Sequence, residues 1–146
     1  MNRVDQMQYN YEFTVTPSNT LTNPLNIECH LAAGIIRSAE LLFPRGCNER
    51  VRVSILAGVE PLLPTNLGGY YSPRDGLIRA DPLYYPLVSN ENILWIRSWN
   101  VGTFYNHRLN VRFNVQDPEE LDIPQTLNSL TGAIATLSDK IRSYFS

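Results

Sequence analysis

The sequence predicts an all-β fold, an antiparallel β-sandwich, followed by one C-terminal amphipathic α-helix. Two observations predict it. Apolar and polar residues alternate in several short segments up to about residue 116, which is the period of strands, and the last part of the chain changes to a helical period. We therefore expect a β-sandwich domain over residues 1–116 and a linker with the helix over 117–146. A chain of 146 residues fits one such domain.

Four segments alternate clearly, with every second residue apolar: 9–15, 27–31, 51–55 and 109–115. Each predicts a strand with one face in a core and one in solvent. Residues 34–43 are ambiguous and fit either a short helix or two bent strands. Residues 93–99 carry apolar side chains on both faces, which predicts a central strand covered on both sides. On that basis Trp95 and Trp99 are interpreted as mainly core.

Residues 58–92 are rich in Pro and Gly, and they predict a long irregular region with one short strand over 77–80. The total is about seven or eight strands. The pairs Tyr70-Tyr71 and Tyr84-Tyr85 make this loop region the best candidate for a contact surface, because tyrosine offers a flat ring with a polar tip. Three readings stay open: the tyrosines cover a sheet of their own domain, contact a protein partner, or stack on a sugar.

The C-terminal helix is predicted from an apolar seam whose members are three or four residues apart: Leu127, Leu130, Ile134, Leu137 and Ile141. Glu119, Glu120 and Asp122 precede it, and Lys140 and Arg142 lie in its last turn, as the helix dipole favours. Its other faces are poor in charge and in helix-forming residues, so the helix needs a surface to lie on. That surface is its own sheet, a neighbouring subunit or, less favoured, a membrane.

Charge is scarce in this chain: 18% of residues are charged and the formal net charge is −2. This argues against direct nucleic-acid binding, which needs clustered positive charge. Lys140 is the only lysine, whereas eleven residues are arginine. Arginine is favoured at interfaces and lysine is depleted there, so the composition indicates a surface that is partly covered in an assembly. We also expect no membrane span and no signal peptide.

No motif for catalysis, a cofactor or a metal stands out. His30 and His107 lack partners at catalytic or zinc-ligating spacing, and His107 is interpreted as a hydrogen-bonded structural residue. The loop carboxylates Asp75, Asp81, Glu91 and Asp117 do not follow a calcium-binding pattern and are interpreted as solvated. Cys29 and Cys47 are expected to be free thiols, although one disulfide between them stays open. The sequence thus predicts a protein that is not an enzyme, with no cofactor and no metal.

Three stretches carry a resemblance: residues 43–58 (FPRGCNERVRVSILAG), 63–66 (LPTN) and 105–115 (YNHRLNVRFNV). With their Asn-rich strands and Asn and Pro turns, they resemble small β-sandwich structural proteins of bacterial and archaeal viruses, the jelly-roll minor capsid and decoration proteins. The resemblance implies a jelly-roll-like domain that assembles with copies of itself and with other virion structural proteins. It also implies a virion location after synthesis in the host cytoplasm. The alternative function is a carbohydrate-binding module that uses the tyrosine-rich loop.

Overall fold

The computed structural model describes residues 6–117. In this part of the chain all regular structure is β-strand. The strands in chain order are β1 Gln6–Val15, β2 Leu25–Leu31, β3 Gly34–Phe43, β4 Val51–Ala57, β5 Glu60–Leu63, β6 Gly76–Ala80, β7 Tyr85–Leu87, β8 Asn92–Asn100 and β9 His107–Gln116.

The strands form two sheets in which all pairs are antiparallel. The five-stranded sheet has the order β1-β9-β3-β6, with β7 also paired to β3, and the four-stranded sheet has the order β2-β8-β4-β5. The pairing is nested, since β1 pairs with β9, β2 with β8, β3 with β6 and β7, and β4 with β5. A long antiparallel hairpin wound into two sheets is a jelly roll, and the predicted all-β antiparallel sandwich is confirmed.

The core lies between the two sheets and is built from alternate residues of the long strands. In β9, Leu109, Val111, Phe113 and Val115 are buried, whereas the residues between them face outward. Phe43 of β3 and Phe113 are among the largest fully buried side chains. Each such side chain stabilises the fold by about 1.5–3 kcal/mol relative to leaving it in water. For these strands, the alternation in the sequence therefore correctly predicts which residues face the core.

The structure corrects the sequence analysis in the middle of the chain. Residues 6–117 form nine strands where seven or eight were expected, because β5 and β7 lie within the stretch predicted to be irregular. The short strand predicted over 77–80 is present as β6. β3 is one ten-residue strand with a bulge between Ile36 and Ser38, and it is neither a short helix nor two strands. Pairing with β9, β6 and β7 overrides its weak local pattern.

One end of the sandwich is held by the side chain of Asn100, which is 4% exposed. Its Nδ2 donates to the backbone carbonyl oxygens of Thr16 (2.8 Å) and Asn19 (2.6 Å), and its Oδ1 accepts from the backbone N–H of Thr103 (3.0 Å). The β1–β2 and β8–β9 connections are thus tied together by one buried amide.

The predicted C-terminal helix, with its seam from Leu127 to Ile141, lies outside the described residues. Within residues 6–117, no helix is long and apolar enough to cross a membrane.

Candidate interaction surfaces

The outer face of the four-stranded sheet carries a cluster of aromatic and arginine side chains, here called the tryptophan face. It consists of Trp95, Arg97 and Trp99 from β8, Arg52 from β4, and Tyr70 from the β5–β6 connection. Trp99 is only 5% exposed, because the ring of Tyr70 packs edge-on against it at 5.8 Å between centroids and 75° between planes.

Strand register builds this face. Arg52 lies opposite Trp99, and Leu56 lies opposite Trp95, so arginine, tryptophan and leucine side chains form cross-strand neighbours. The Arg52 guanidinium carbon stands 4.3 Å from the centroid of the Tyr70 ring, and that of Arg97 stands 5.5 Å from the Trp99 ring. Both distances are within the range of cation–π attraction. Tyr70 is thereby held between an arginine and a tryptophan.

The backbone next to Tyr70 explains how a loop residue is fixed on a sheet. Tyr71 forms an isolated antiparallel bridge with Val53 of β4, with N–H to oxygen distances of 2.8 and 3.0 Å in the two directions. This bridge extends the four-stranded sheet locally by one residue pair. Its effect is to direct the Tyr70 side chain onto the outer face, beside Arg52 and Trp99.

Two donors of the tryptophan face are buried without a hydrogen-bond partner among the described residues: Arg52 Nε and Trp99 Nε1. The rim of the face is apolar and exposed, with Leu21 at 56%, Leu67 at 86% and Val59 at 90%. The cleft between this rim and the two strands measures about 350 Å³. This surface thus combines exposed apolar side chains with buried donors that have no partner among the described residues.

The outer face of the five-stranded sheet has a different, polar chemistry. Glu40 accepts hydrogen bonds from Arg79 (2.9 Å) and Arg112 (3.4 Å), and its side chain is 15% exposed. Asn114 Nδ2 donates to Ser38 Oγ at 2.8 Å. These polar groups pair with one another across strands, although the Nε of Arg112 is buried without a partner among the described residues.

The four tyrosines singled out in the sequence do not form one surface. Tyr70 belongs to the tryptophan face, whereas Tyr84 is 68% exposed beside the five-stranded sheet, with the Arg37 guanidinium carbon 5.7 Å from its ring centroid. Tyr71 and Tyr85 are partly buried against the core, and burial raises the pKa of Tyr71. Two of the four tyrosines therefore cover their own sheets, and two remain accessible on opposite sides.

The interpretation as mainly core is wrong for Trp95, whereas Trp99 is buried as expected, although on the outer side of the sheet and outside the central core cluster. Leu94 and Ile96 face the core, while Trp95 and Trp99 point to the outer side of the same strand. The sequence does hold a signal for this arrangement. Arg97 lies two residues from each tryptophan and so shares their face, and an arginine is rarely placed in an apolar core.

The two cysteines and two histidines of the chain lie in different environments. Cys29 and Cys47 are both free and buried, and burial raises their thiol pKa values to about 12 and about 11. His30 lies between Glu28 (3.2 Å) and Glu91 (2.7 Å) in an exposed position. His107 is buried, but its Nδ1 has no hydrogen-bond partner among the described residues, contrary to expectation.

Among residues 6–117, no group of three or more His, Cys, Asp or Glu side chains is arranged to hold a metal ion. Of the loop carboxylates, Asp81 pairs with Arg79 at 3.1 Å and Glu91 pairs with His30. The predicted contact residues of the helix, Leu127, Leu130, Ile134, Leu137 and Ile141, lie outside the described part of the chain.

No family model and no curated protein matches the chain. Among solved structures it is similar to a chain of the cyanophage Pam1 capsid asymmetric unit, with a TM-score of 0.58 and 12% identity over 79% of this chain and 86% of that one. Weaker likenesses are to PirA (TM-score 0.41, 11% identity, 72% and 93% covered) and to infectious bursal disease virus VP2 in a subviral particle (0.38, 12%, 77% and 34%). The first likeness shows a shared fold, and the other two add nothing to it.

Proposed function

We propose that the chain is a non-enzymatic structural component of a virus particle, of the minor capsid or decoration type. The observation that carries the proposal is the fold shared with a chain of a phage capsid. The alignment covers 79% of this chain and 86% of the other, so the two chains have similar lengths. The likeness therefore extends over most of both chains.

The surface chemistry supports a role in assembly. The tryptophan face offers the side-chain types that are enriched at protein interfaces, arginine and aromatic residues, and lysine is nearly absent from the chain. The proposed partners are copies of this chain and other virion structural proteins. The proposed contact residues are the four tyrosines of the loop region, of which Tyr70 and Tyr84 are exposed and Tyr71 and Tyr85 partly buried, and the apolar seam of the C-terminal segment: Tyr70, Tyr71, Tyr84, Tyr85, Leu127, Leu130, Ile134, Leu137 and Ile141.

The proposal gives the protein a mechanical task that the fold suits. A two-sheet sandwich with a continuous apolar core is a rigid body, and such a body can hold interfaces at fixed angles in a symmetric shell. A net charge of −2 is consistent with contacts to protein and not to packaged nucleic acid. The proposed location is accordingly the outer protein layer of the virion.

Sedimentation velocity of the full chain over a wide concentration range tests the assembly role. We expect a discrete oligomer whose population rises with protein concentration, because a component that works through interfaces needs complementary surfaces. Trp95→Ala is expected to reduce this association, whereas Tyr105→Ala, which removes a ring that is 77% exposed on an end loop, serves as the matched control. A chain that stays monomeric at every concentration and binds no virion protein contradicts the proposal.

A carbohydrate-binding module is the second candidate. The observation in its favour is that Trp95 and Tyr70 lie on one sheet face, where sugar rings could stack. A glycan array with the wild-type chain and with Tyr70→Ala, Tyr71→Ala, Tyr84→Ala and Tyr85→Ala distinguishes the two candidates. Under the virion proposal no glycan is bound above background. Binding that Tyr70→Ala abolishes and Tyr84→Ala preserves favours the carbohydrate module.

A further inference from the structure

Two buried donors of the tryptophan face have no hydrogen-bond acceptor within residues 6–117. Trp99 is 5% exposed, yet its Nε1 has no partner, and the Nε of Arg52 is buried without one as well. A buried donor that remains unsatisfied costs about 1–3 kcal/mol. Two such donors on one surface indicate acceptors that come from outside residues 6–117.

The charge on this face is also uncompensated within the described residues. Arg79, Arg108 and Arg112 of the five-stranded sheet each lie within 4.0 Å of a carboxylate. Arg52 and Arg97 form no ion pair with any carboxylate of residues 6–117, and both stack on aromatic rings instead. The missing partner is therefore expected to be acidic, and the exposed rim of Leu21, Val59 and Leu67 requires it to be apolar as well.

The chain itself contains one segment with this combination. Glu119, Glu120 and Asp122 form an acidic group directly after the described part, and an apolar seam follows at residues 127–141. The described chain ends at Asp117, just after β9. Glu119 and Glu120 are two and three residues beyond Asp117 and so stay within about 10 Å of it, whereas residues 118–126 allow the seam to begin at most about 30 Å away. A neighbouring molecule would therefore have to present its surface close to the end of β9 to meet the acidic group.

We propose that the tryptophan face binds the C-terminal segment, residues 119–141, of a neighbouring copy of this chain. Glu119 and Glu120 supply acceptors and negative charge to Arg52 and Arg97, while the apolar seam covers Trp95 and the rim. The inference rests on the proposed function, since it names the partner of the assembly surface. A neighbouring copy is favoured because β9 belongs to the five-stranded sheet, so a segment leaving β9 starts in the layer opposite its own tryptophan face.

Charge reversal in the full chain tests this pairing. The face variant carries Arg52→Glu and Arg97→Glu, and the tail variant carries Glu119→Arg and Glu120→Arg. We expect each variant alone to associate at least about tenfold more weakly than the wild type, because like charges then face each other. An equimolar mixture is expected to recover association. The acidic segment of the face variant then meets the basic face of the tail variant, and the basic segment of the tail variant meets the acidic face of the face variant.

The matched control carries Arg74→Glu and Arg108→Glu, two exposed arginines that do not line the tryptophan face. It has the same net charge as the face variant and is expected to associate like the wild type. Arg97→Glu alone replaces the double face variant if circular dichroism shows that the change at the half-buried Arg52 impairs folding. Tryptophan fluorescence gives an independent readout, since both tryptophans of the chain lie on this face; a blue shift is expected in the mixture and not in either variant alone.

Other outcomes would contradict the C-terminal pairing, the neighbouring-copy assignment or the proposed function, as follows. If both variants associate like the wild type, the C-terminal pairing is wrong while the assembly role stands. The other informative case is a mixture of the two variants that does not recover association, while one chain carrying all four changes shows the wild-type fluorescence. In that case the segment covers its own sandwich, and the neighbouring-copy assignment is wrong. A wild-type chain that never associates with itself overturns the neighbouring-copy pairing, and it overturns the proposed function only if the chain also binds no virion protein.

Discussion

Replacement of Asn100 by alanine is expected to destabilise the fold more than any other asparagine substitution in a described loop or strand end. The side chain is 4% exposed and joins two chain connections through its amide. Asn100→Ala removes the two short bonds from Nδ2 to the carbonyl oxygens of Thr16 and Asn19, at 2.8 and 2.6 Å, and the bond that Oδ1 accepts from Thr103 at 3.0 Å. The carbonyl oxygens of Thr16 and Asn19 each keep one bond, from the backbone N–H groups of Asn19 (2.9 Å) and Asn100 (2.8 Å), so the Thr103 N–H is the group that loses its partner.

The expected loss follows from the bonds removed. Each buried hydrogen bond contributes about 1 kcal/mol net, and an unsatisfied buried group costs up to about 3 kcal/mol. Three lost bonds therefore predict a decrease of about 3 kcal/mol in the free energy of unfolding. For a chain of 146 residues, this corresponds to a decrease in Tm of about 10 °C.

Urea unfolding followed by circular dichroism measures this change directly. Asn10→Ala is the matched control, because Asn10 is an exposed residue of the edge strand β1, and it is expected to shift stability by less than about 0.5 kcal/mol. Asn100→Asp places a carboxylate against carbonyl oxygens, so at pH 7 it is expected to be at least as damaging as alanine. A loss below about 1 kcal/mol for Asn100→Ala, equal to that of the control, refutes the assignment of this amide as the tie between the two connections.

Three further predictions concern packing, thiol reactivity and charge. Gly34→Ala is expected to cost at least about 2 kcal/mol in urea unfolding, because a Cβ there would stand 2.7 Å from a backbone oxygen of β9, whereas Gly58→Ala, with no atom within 4 Å, should cost only about 1 kcal/mol. The thiols of Cys29 and Cys47, with pKa values of about 12 and about 11, should not react with a disulfide reagent at pH 8 until the chain unfolds, when two equivalents react; rapid labelling of the folded chain would contradict their burial. Glu40→Gln should lower stability by about 1 kcal/mol, and the loss should shrink in high salt, since it weakens pairing with two arginines; a loss that does not depend on salt would argue against an ionic cause.

Alternation predicted the long strands well because their inner faces meet one continuous core. Val51, Val53 and Ile55 of β4 and the four apolar residues of β9 all point inward, as their spacing indicates. In these strands the local pattern and the tertiary contacts agree, so the sequence alone identifies both the element and its buried face.

The short strands β5 and β7 were missed because their pairing, and not their composition, defines them. β5 contains Pro61 and lies at the edge of its sheet, and β7 contains Pro86 and forms only a short pairing with β3. In both places the N–H that proline lacks is tolerated. A proline in such a short segment makes its sequence look like that of a loop. Only the partner strand shows that the backbone is extended and hydrogen-bonded.

The tryptophan face was missed for a related reason. A period of two shows which residues share a face, but it does not show which face is inside. Trp99 is buried because Tyr70 folds over it from a loop about thirty residues earlier in the chain, a contact that local pattern does not encode. The arginine between the two tryptophans was the one local sign that their side faces outward.

Quantitative mass spectrometry tests most directly whether the chain is a structural component of the virion. The sample is virus particles purified on a density gradient from the source that carries this gene. We expect the chain to be present in particles at a fixed ratio to the most abundant capsid protein, and to withstand washing in low salt. A chain that is expressed in infected cells but absent from gradient-purified particles, or present at a ratio that varies between preparations, contradicts the proposal that it is a structural component of the virion.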